Sequence, residues 1–109
     1  MVIWKDGPNT LAVNKKTTYH EEQNKQNILK MRAVLDTLPR FCKDYFRGIE
    51  NYTSARTRLT YAYDLRVFFE FLHNNNPICA KTDITEYKID ILEQITRSDI
   101  LEYLDYMSY

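Results

Sequence analysis

Ser54, Arg56, Thr57, Arg58 and Thr60 fall within seven consecutive residues. Guanidinium groups meet phosphate oxygens with a permanent charge and paired N–H donors, and hydroxyls are common supporting partners. Ser54 also has the character of a helix N-cap, which would place this cluster on a first helical turn. There the unpaired backbone N–H groups and the positive end of the helix dipole already favour an anion. Lys43 and Arg47 lie one helical turn apart just upstream and could extend the same contact. Charged residues on a helix are as often simply its solvated face, and for Lys43, Arg47 and Arg66 that reading stays open.

Other chemistry finds little support in the residue types. Catalysis needs a nucleophile, a base and a group that stabilises developing charge. His20 and His73 stand among polar residues at expected helix ends, neither spaced to a cysteine or acid as a ligand pair would be, and there is no Gly-rich phosphate loop. The sequence therefore predicts no catalytic residue, no metal and no cofactor of its own. Cys42 and Cys79 have no metal-ligand spacing. Cys42 falls on an apolar helical face, which predicts a buried thiol and a reducing, cytoplasmic setting. No apolar run approaches the ~20 residues of a membrane span, so no membrane partner is expected.

The elements that must position the basic cluster are helical. With two glycines and three prolines in 109 residues, many-turned β architectures are disfavoured. Tyr61, Leu65, Phe68 and Leu72 recur at i, i+4, i+7 and i+11, widened by Ala62 and Phe69, and predict a long buried helix from Ser54 to about His73. This periodicity assigns the aromatics to a core rather than to base stacking. Leu38, Phe41, Cys42, Tyr45, Phe46 and Ile49 predict a preceding amphipathic helix opened by Pro39. Ile28, Met31, Val34 and Leu35 predict a leading helix over 21–36, whereas residues 1–20, with Gly7-Pro8-Asn9 and a solitary Trp4, read as a flexible tail. Asn74-Asn75-Asn76-Pro77 ends the long helix, and 78–92 reads as a loop with one short helix near Tyr87 to Leu92. Thr96 and Asp99 resemble a capping box for a last helix whose buried face would be Ile100, Leu101, Leu104 and Met107. The expectation is one all-α domain, a four- to five-helix bundle over residues 21–109.

Three of these segments also resemble a family. Thr57-x3-Tyr61-x2-Asp64-Leu65-x2-Phe68-x2-Phe71-Leu72 is similar to the second helix of the core-binding domain of tyrosine recombinases, the phage-type integrases and Xer-like enzymes. Leu38-Pro39-x-Phe41-x3-Tyr45-Phe46 and Ile95-Thr96-x2-Asp99-Ile100-x2-Tyr103-Leu104 resemble that domain's first and last helices, in the same order, so that the likeness spans residues 38–109. It implies an orthogonal, SAM-like bundle that clamps one face of a recombination half-site on double-stranded DNA, beside other recombinase protomers. It implies that cleavage belongs to a separate C-terminal catalytic domain bearing the family's arginines, His-x-x-Arg element and tyrosine nucleophile. His20 is followed by Glu21-Glu22-Gln23 and His73 by Asn74-Asn75-Asn76, and Tyr109 has no arginine cluster around it. The chain is accordingly not expected to be an enzyme alone.

Net charge is zero, but its distribution is polar. Between residues 40 and 66, Arg40, Lys43, Arg47, Arg56, Arg58 and Arg66 outnumber Asp44, Glu50 and Asp64, a local excess of +3. Between 83 and 109, seven acids face only Lys88 and Arg97. Exposed charges farther apart than roughly 8–10 Å are largely screened at physiological salt, so a basic middle can meet phosphate while an acidic end faces elsewhere. The expected DNA-contacting residues are Ser54, Arg56, Thr57, Arg58, Thr60, Lys43 and Arg47. The rival expectation is a protein-interaction module in which the acidic last helix and the segment 21–35 dock on neighbouring subunits, without nucleic acid.

Overall fold

Pro8 takes the first position of helix α1 (Pro8–Leu35), where proline's missing N–H would have had no partner in any case. The computed structural model describes residues 8–108, with side chains from residue 18 onward, and Trp4 and Tyr109 lie outside this range. The helix thus begins well before 21, and the part of the expected tail from Pro8 to His20 is helical. Pro8-Asn9 marks a helix start rather than a loop. A helix of 28 residues is roughly 42 Å long at 1.5 Å per residue. Its residues 18–26 are all exposed; Val34 and Leu35 enter the core with Met31 packed against it, and Ile28 is only half-buried. The Cα radius of gyration is 19.9 Å, against about 13 Å for a compact 100-residue domain. Helix α1 therefore projects beyond the packed part of the molecule.

The rest is an orthogonal all-α bundle, with no strand among the described residues. Helix α2 spans Phe41–Gly48, α3 spans Ala55–Asn75 and α4 spans Arg97–Met107. Between α3 and α4 come three short 3₁₀ turns, Cys79–Lys81, Ile84–Glu86 and Ile89–Gln94, in place of the single short helix expected near Tyr87. The core joins Val34, Leu35, Leu38, Cys42, Phe46, Ala62, Phe69, Leu72, Cys79 and Tyr87. Helix α3 lies at its centre, and its phenylalanines reach each neighbour. Phe69 meets Phe41 of α2 at a ring-centroid distance of 6.1 Å and Tyr87 at 6.0 Å. Phe68 and Phe71 meet Tyr103 of α4 at 5.0 and 5.3 Å. Edge-to-face pairs of this kind contribute about 0.5–1.5 kcal/mol each beyond simple burial. Tyr61, expected in the core, is 40% exposed instead.

Both cysteines are buried free thiols. Burial pushes the Cys42 thiol up to about 11, so it stays protonated and unreactive near neutrality.

The last helix differs from expectation in its orientation. Thr96 and Asp99 do form a reciprocal capping box. The Asp99 carboxylate, however, also accepts a 2.9 Å hydrogen bond from the Asn76 amide. Asp99, Tyr103 and Tyr106 share one helical face, and it is this face that turns towards α3. Ile100, Leu101, Leu104 and Met107, predicted to be buried, are about half exposed, at 47–57%.

Asn76 is itself 5% exposed. Its side-chain oxygen accepts from the N–H groups of Ile78 and Cys79 at 2.9 and 3.1 Å, while its amide nitrogen donates to Asp99 and, at 3.4 Å, to the Gln94 carbonyl. The Thr96 N–H, with help from Asn76 and the Thr96 hydroxyl, holds the Asp99 carboxyl below its ordinary range, against a smaller opposing effect of desolvation. A depressed carboxyl contributes stability above its unfolded-state pKa and loses it as pH falls through the folded value. Asn76→Ala should lower the free energy of unfolding by about 2–3 kcal/mol at pH 7, because buried N–H groups lose their acceptor. It should also flatten the acid limb of stability against pH, since Asp99 loses one of the bonds that depress it. Urea titrations between pH 2.5 and 7 read both effects; equal stability of the two proteins throughout would contradict them.

Candidate nucleic-acid interface

Ser54 caps α3 as expected, accepting the Thr57 N–H at 3.1 Å. Its hydroxyl also donates to the Thr57 hydroxyl at 2.9 Å, and Thr60 bonds back to the Arg56 carbonyl at 3.2 Å. These three hydroxyls therefore serve the helix start first. Arg56 is exposed and has no ion pair among the described residues, which leaves its guanidinium available to an incoming anion.

Arg58 departs from the expected role. It is 7% exposed, and its Nη1 donates to the Thr53 carbonyl at 2.6 Å, the Glu50 carbonyl at 3.0 Å and the Thr53 hydroxyl at 3.2 Å. Consecutive residues on a helix point about 100° apart. Arg56 and Arg58, two positions and so about 200° apart, therefore reach solvent and interior respectively. Arg58 thus does not project outward beside Arg56; it ties the α2–α3 turn. That turn is also closed by the Thr53 hydroxyl donating to the Ile49 carbonyl at 2.8 Å.

Lys43 and Arg47 project from α2. Lys43 pairs with Asp36 at 3.2 Å, and Arg47 approaches Asp44 at 3.8 Å. All four side chains are at least half exposed, and such surface pairs typically contribute only about 0–1 kcal/mol, so they exchange readily for a stronger anion.

Together with Arg32 of α1, the side chains of Lys43, Arg47 and Arg58 line a cleft of about 400 Å³ between α1, α2 and the first turns of α3. Asp36 and Glu50 are the acids on its wall, and Ile28, Met31, Leu35 and Phe46 supply apolar surface. The expected contacts thus divide into two groups. Lys43, Arg47 and Arg58 gather at the cleft, whereas Ser54, Arg56, Thr57 and Thr60 form the start of α3. Arg32 was missed from the sequence. Its signal was positional, because Ile28, Arg32 and Leu35 occur at i, i+4 and i+7, which puts Arg32 on the packing seam of α1. Arg66 lies over the Tyr63 ring at 5.2 Å, and Arg97 and Ser98 open α4 as exposed residues away from the cleft lining.

A second, apolar groove of about 540 Å³ runs between α2, α3 and the turn Ile89–Gln94, with Tyr45, Tyr61, Phe68 and Leu92 on its walls and Asp64 as its one charged residue. It accounts for the exposure of Tyr61. His73 Nδ1 lies 3.2 Å from the Tyr87 hydroxyl, which donates to the Cys79 carbonyl at 2.8 Å. Burial, reinforced by Cys79, pushes the Tyr87 phenol up to about 12. This chain of contacts fixes the turn after α3 against the core. Among the described residues no group of three His, Cys, Asp or Glu side chains could hold a metal ion, and no helix is long and apolar enough to cross a membrane.

Arg58→Met should cost about 2 kcal/mol of stability by removing charge-assisted bonds to the turn carbonyls. Arg56→Ala should stay within about 0.5 kcal/mol of the parent, as an exposed substitution away from any cap or core contact. Thermal and urea unfolding of both variants distinguish the two arginines; equal losses would refute the division drawn between them.

No protein-family model, no curated protein and no solved structure matches the chain.

Proposed function

We propose that this bundle is a DNA-binding domain of the tyrosine-recombinase core-binding type, with a SAM-like arrangement of its helices. It would clamp one face of a recombination half-site while a separate catalytic domain cuts. The reading is carried by one observation, the gathering of Arg32, Lys43 and Arg47 from two helices at a cleft that borders the start of α3, where Arg56 is free. The motifs at 38–46, 57–72 and 95–104 support it. Phosphate neutralisation by these cations sets affinity, and Thr57 at the helix start is the residue closest in character to a base-edge reader. The acidic α4 faces away from the duplex, towards protein. The buried, unpaired Cys42 and Cys79 agree with a reducing cytoplasmic setting.

If four phosphates are neutralised, the logarithm of affinity should fall with the logarithm of salt at a slope of roughly −3 to −4. The double variant Arg47→Ala/Arg56→Ala should reduce that slope by about 2 while leaving the fold intact, because neither side chain is buried. Fluorescence anisotropy on a labelled duplex at three salt concentrations measures both. A duplex affinity indifferent to salt and to the double variant would remove the DNA reading.

A second reading, a protein-interaction module, is favoured by the exposed stripe Ile100, Leu101, Leu104 and Met107, bordered by Glu102 and Asp105. Leu101→Glu/Leu104→Glu separates the two readings. It should leave duplex binding unchanged if α4 contacts only protein, and it should abolish any self-association seen by sedimentation.

A further inference from the structure

The least expected charge in the molecule is that of Arg58. It is more than nine-tenths buried, yet among the described residues no carboxylate lies within 4.0 Å of it. The groups it meets, two main-chain carbonyls and the Thr53 hydroxyl, are neutral and are all engaged by Nη1 alone. Among the described residues, Nη2 and Nε have no hydrogen-bond partner. A buried ion is costly unless a counter-charge accompanies it, and this one lines an open cleft. The acids on the cleft wall do not discharge it. Asp36 is paired with Lys43 at 3.2 Å, and Glu50 offers Arg58 its main-chain carbonyl rather than an ion pair. Arg32 has no ion pair among the described residues. Four cations therefore line the cleft with two carboxylates, and a third, Asp44 outside the lining, lies 3.8 Å from Arg47.

We infer that the cleft is a discrete phosphate-binding site, with the Arg58 guanidinium at its base and Arg32, Lys43 and Arg47 around its mouth. Planar guanidinium forks match the oxygens of a phosphate in pairs. A tetrahedral, multiply charged oxyanion can meet donors arriving from three helices at once, which a carboxylate with two coplanar oxygens cannot. The volume, about 400 Å³, is in the range of ligand sites, large enough for a phosphate with part of the molecule that carries it. The inference stands on the missing counter-charge of Arg58 and does not depend on the DNA reading. The phosphate could come from a nucleic-acid backbone or from a small phosphorylated molecule.

The test is a titration of the whole chain with inorganic phosphate at constant ionic strength, followed by ¹H–¹⁵N spectra that include the arginine side-chain Nε–H groups. The expected result is a saturable shift of the Arg58 Nε–H signal and of the α2–α3 turn, which acetate and chloride do not reproduce. Arg32→Gln and Arg47→Gln, both exposed and so not expected to disturb folding, should each weaken binding by roughly five- to tenfold, as loss of one charge-assisted contact implies. Arg66→Gln should change nothing. Absence of saturation, equal shifts with acetate, or equal weakening by Arg66→Gln overturns the inference. Adding an unlabelled duplex then identifies the source. Displacement of phosphate from Arg58 assigns the site to a DNA backbone phosphate. Retention of phosphate alongside the duplex assigns it to a small phosphorylated ligand, and leaves the DNA reading to its own salt titration.

Discussion

At the end of α3 one side-chain amide must satisfy donors and acceptors on both sides of a reversal of the chain, and Asn76 does this with its oxygen and nitrogen both engaged. The oxygen receives the N–H groups of Ile78 and Cys79, while the nitrogen reaches Gln94 and Asp99. A residue with only an acceptor, such as aspartate, would face the Asp99 carboxylate with like charge. A purely apolar residue would leave the turn's N–H groups buried without partners. The consequence extends beyond the turn. Because Asp99 belongs to the cap of α4, the amide fixes the rotation of α4 about its axis as well as its starting point. Tyr103 then meets Phe68 and Phe71, and the aliphatic stripe is left outside.

The opposite end of α3 is held by the same device with a different outcome. Arg58 gathers the carbonyls of Glu50 and Thr53 as Asn76 gathers N–H groups. The neutral amide closes its network completely, whereas the guanidinium retains a charge that carbonyl oxygens can only partly offset. Arginine is suited to this place because its long stem can lie along apolar surface while the planar head reaches several acceptors. The two ends of the central helix thus differ in kind. One is a finished polar joint, and the other is a joint with unspent cationic capacity that opens to a cleft.

Much of this fold is legible in the sequence wherever local periodicity controls it. The apolar spacing from Leu38 to Ile49 and from Tyr61 to Leu72 specifies α2 and α3, Ser54 specifies the start of α3, and Thr96 with Asp99 specifies the start of α4. Periodicity failed where a long-range contact decides. Four aliphatic residues on α4 form a valid buried stripe by spacing, yet the bond from Asn76, 23 residues upstream of Asp99, selects the neighbouring face. Pro8 reads as a breaker beside Gly7 and Asn9, yet proline is equally at home in the first turn of a helix, and the absence of an apolar period after it does not decide between the two. Arg58 was placed with Arg56 because they are near in sequence, a measure that says little about direction on a helix.

Among the residues that line the cleft, Lys43, Arg47 and Arg58 are legible as candidate contacts in the sequence, and Arg32 is the least legible. Arg32 stands on a helix that sequence alone separates from α2 by a turn, and it joins Lys43 and Arg47 only because Leu35, Leu38 and Phe46 pack together beneath them. That packing also explains how a chain of zero net charge can have four cations lining one cleft. The acids after residue 83 are confined to the 3₁₀ turns and α4, while the cations of α1, α2 and α3 converge. A hydrophobic seam that brings three helices together is therefore what gathers these cations at one cleft, and loosening that seam would disperse them without altering any of their charges.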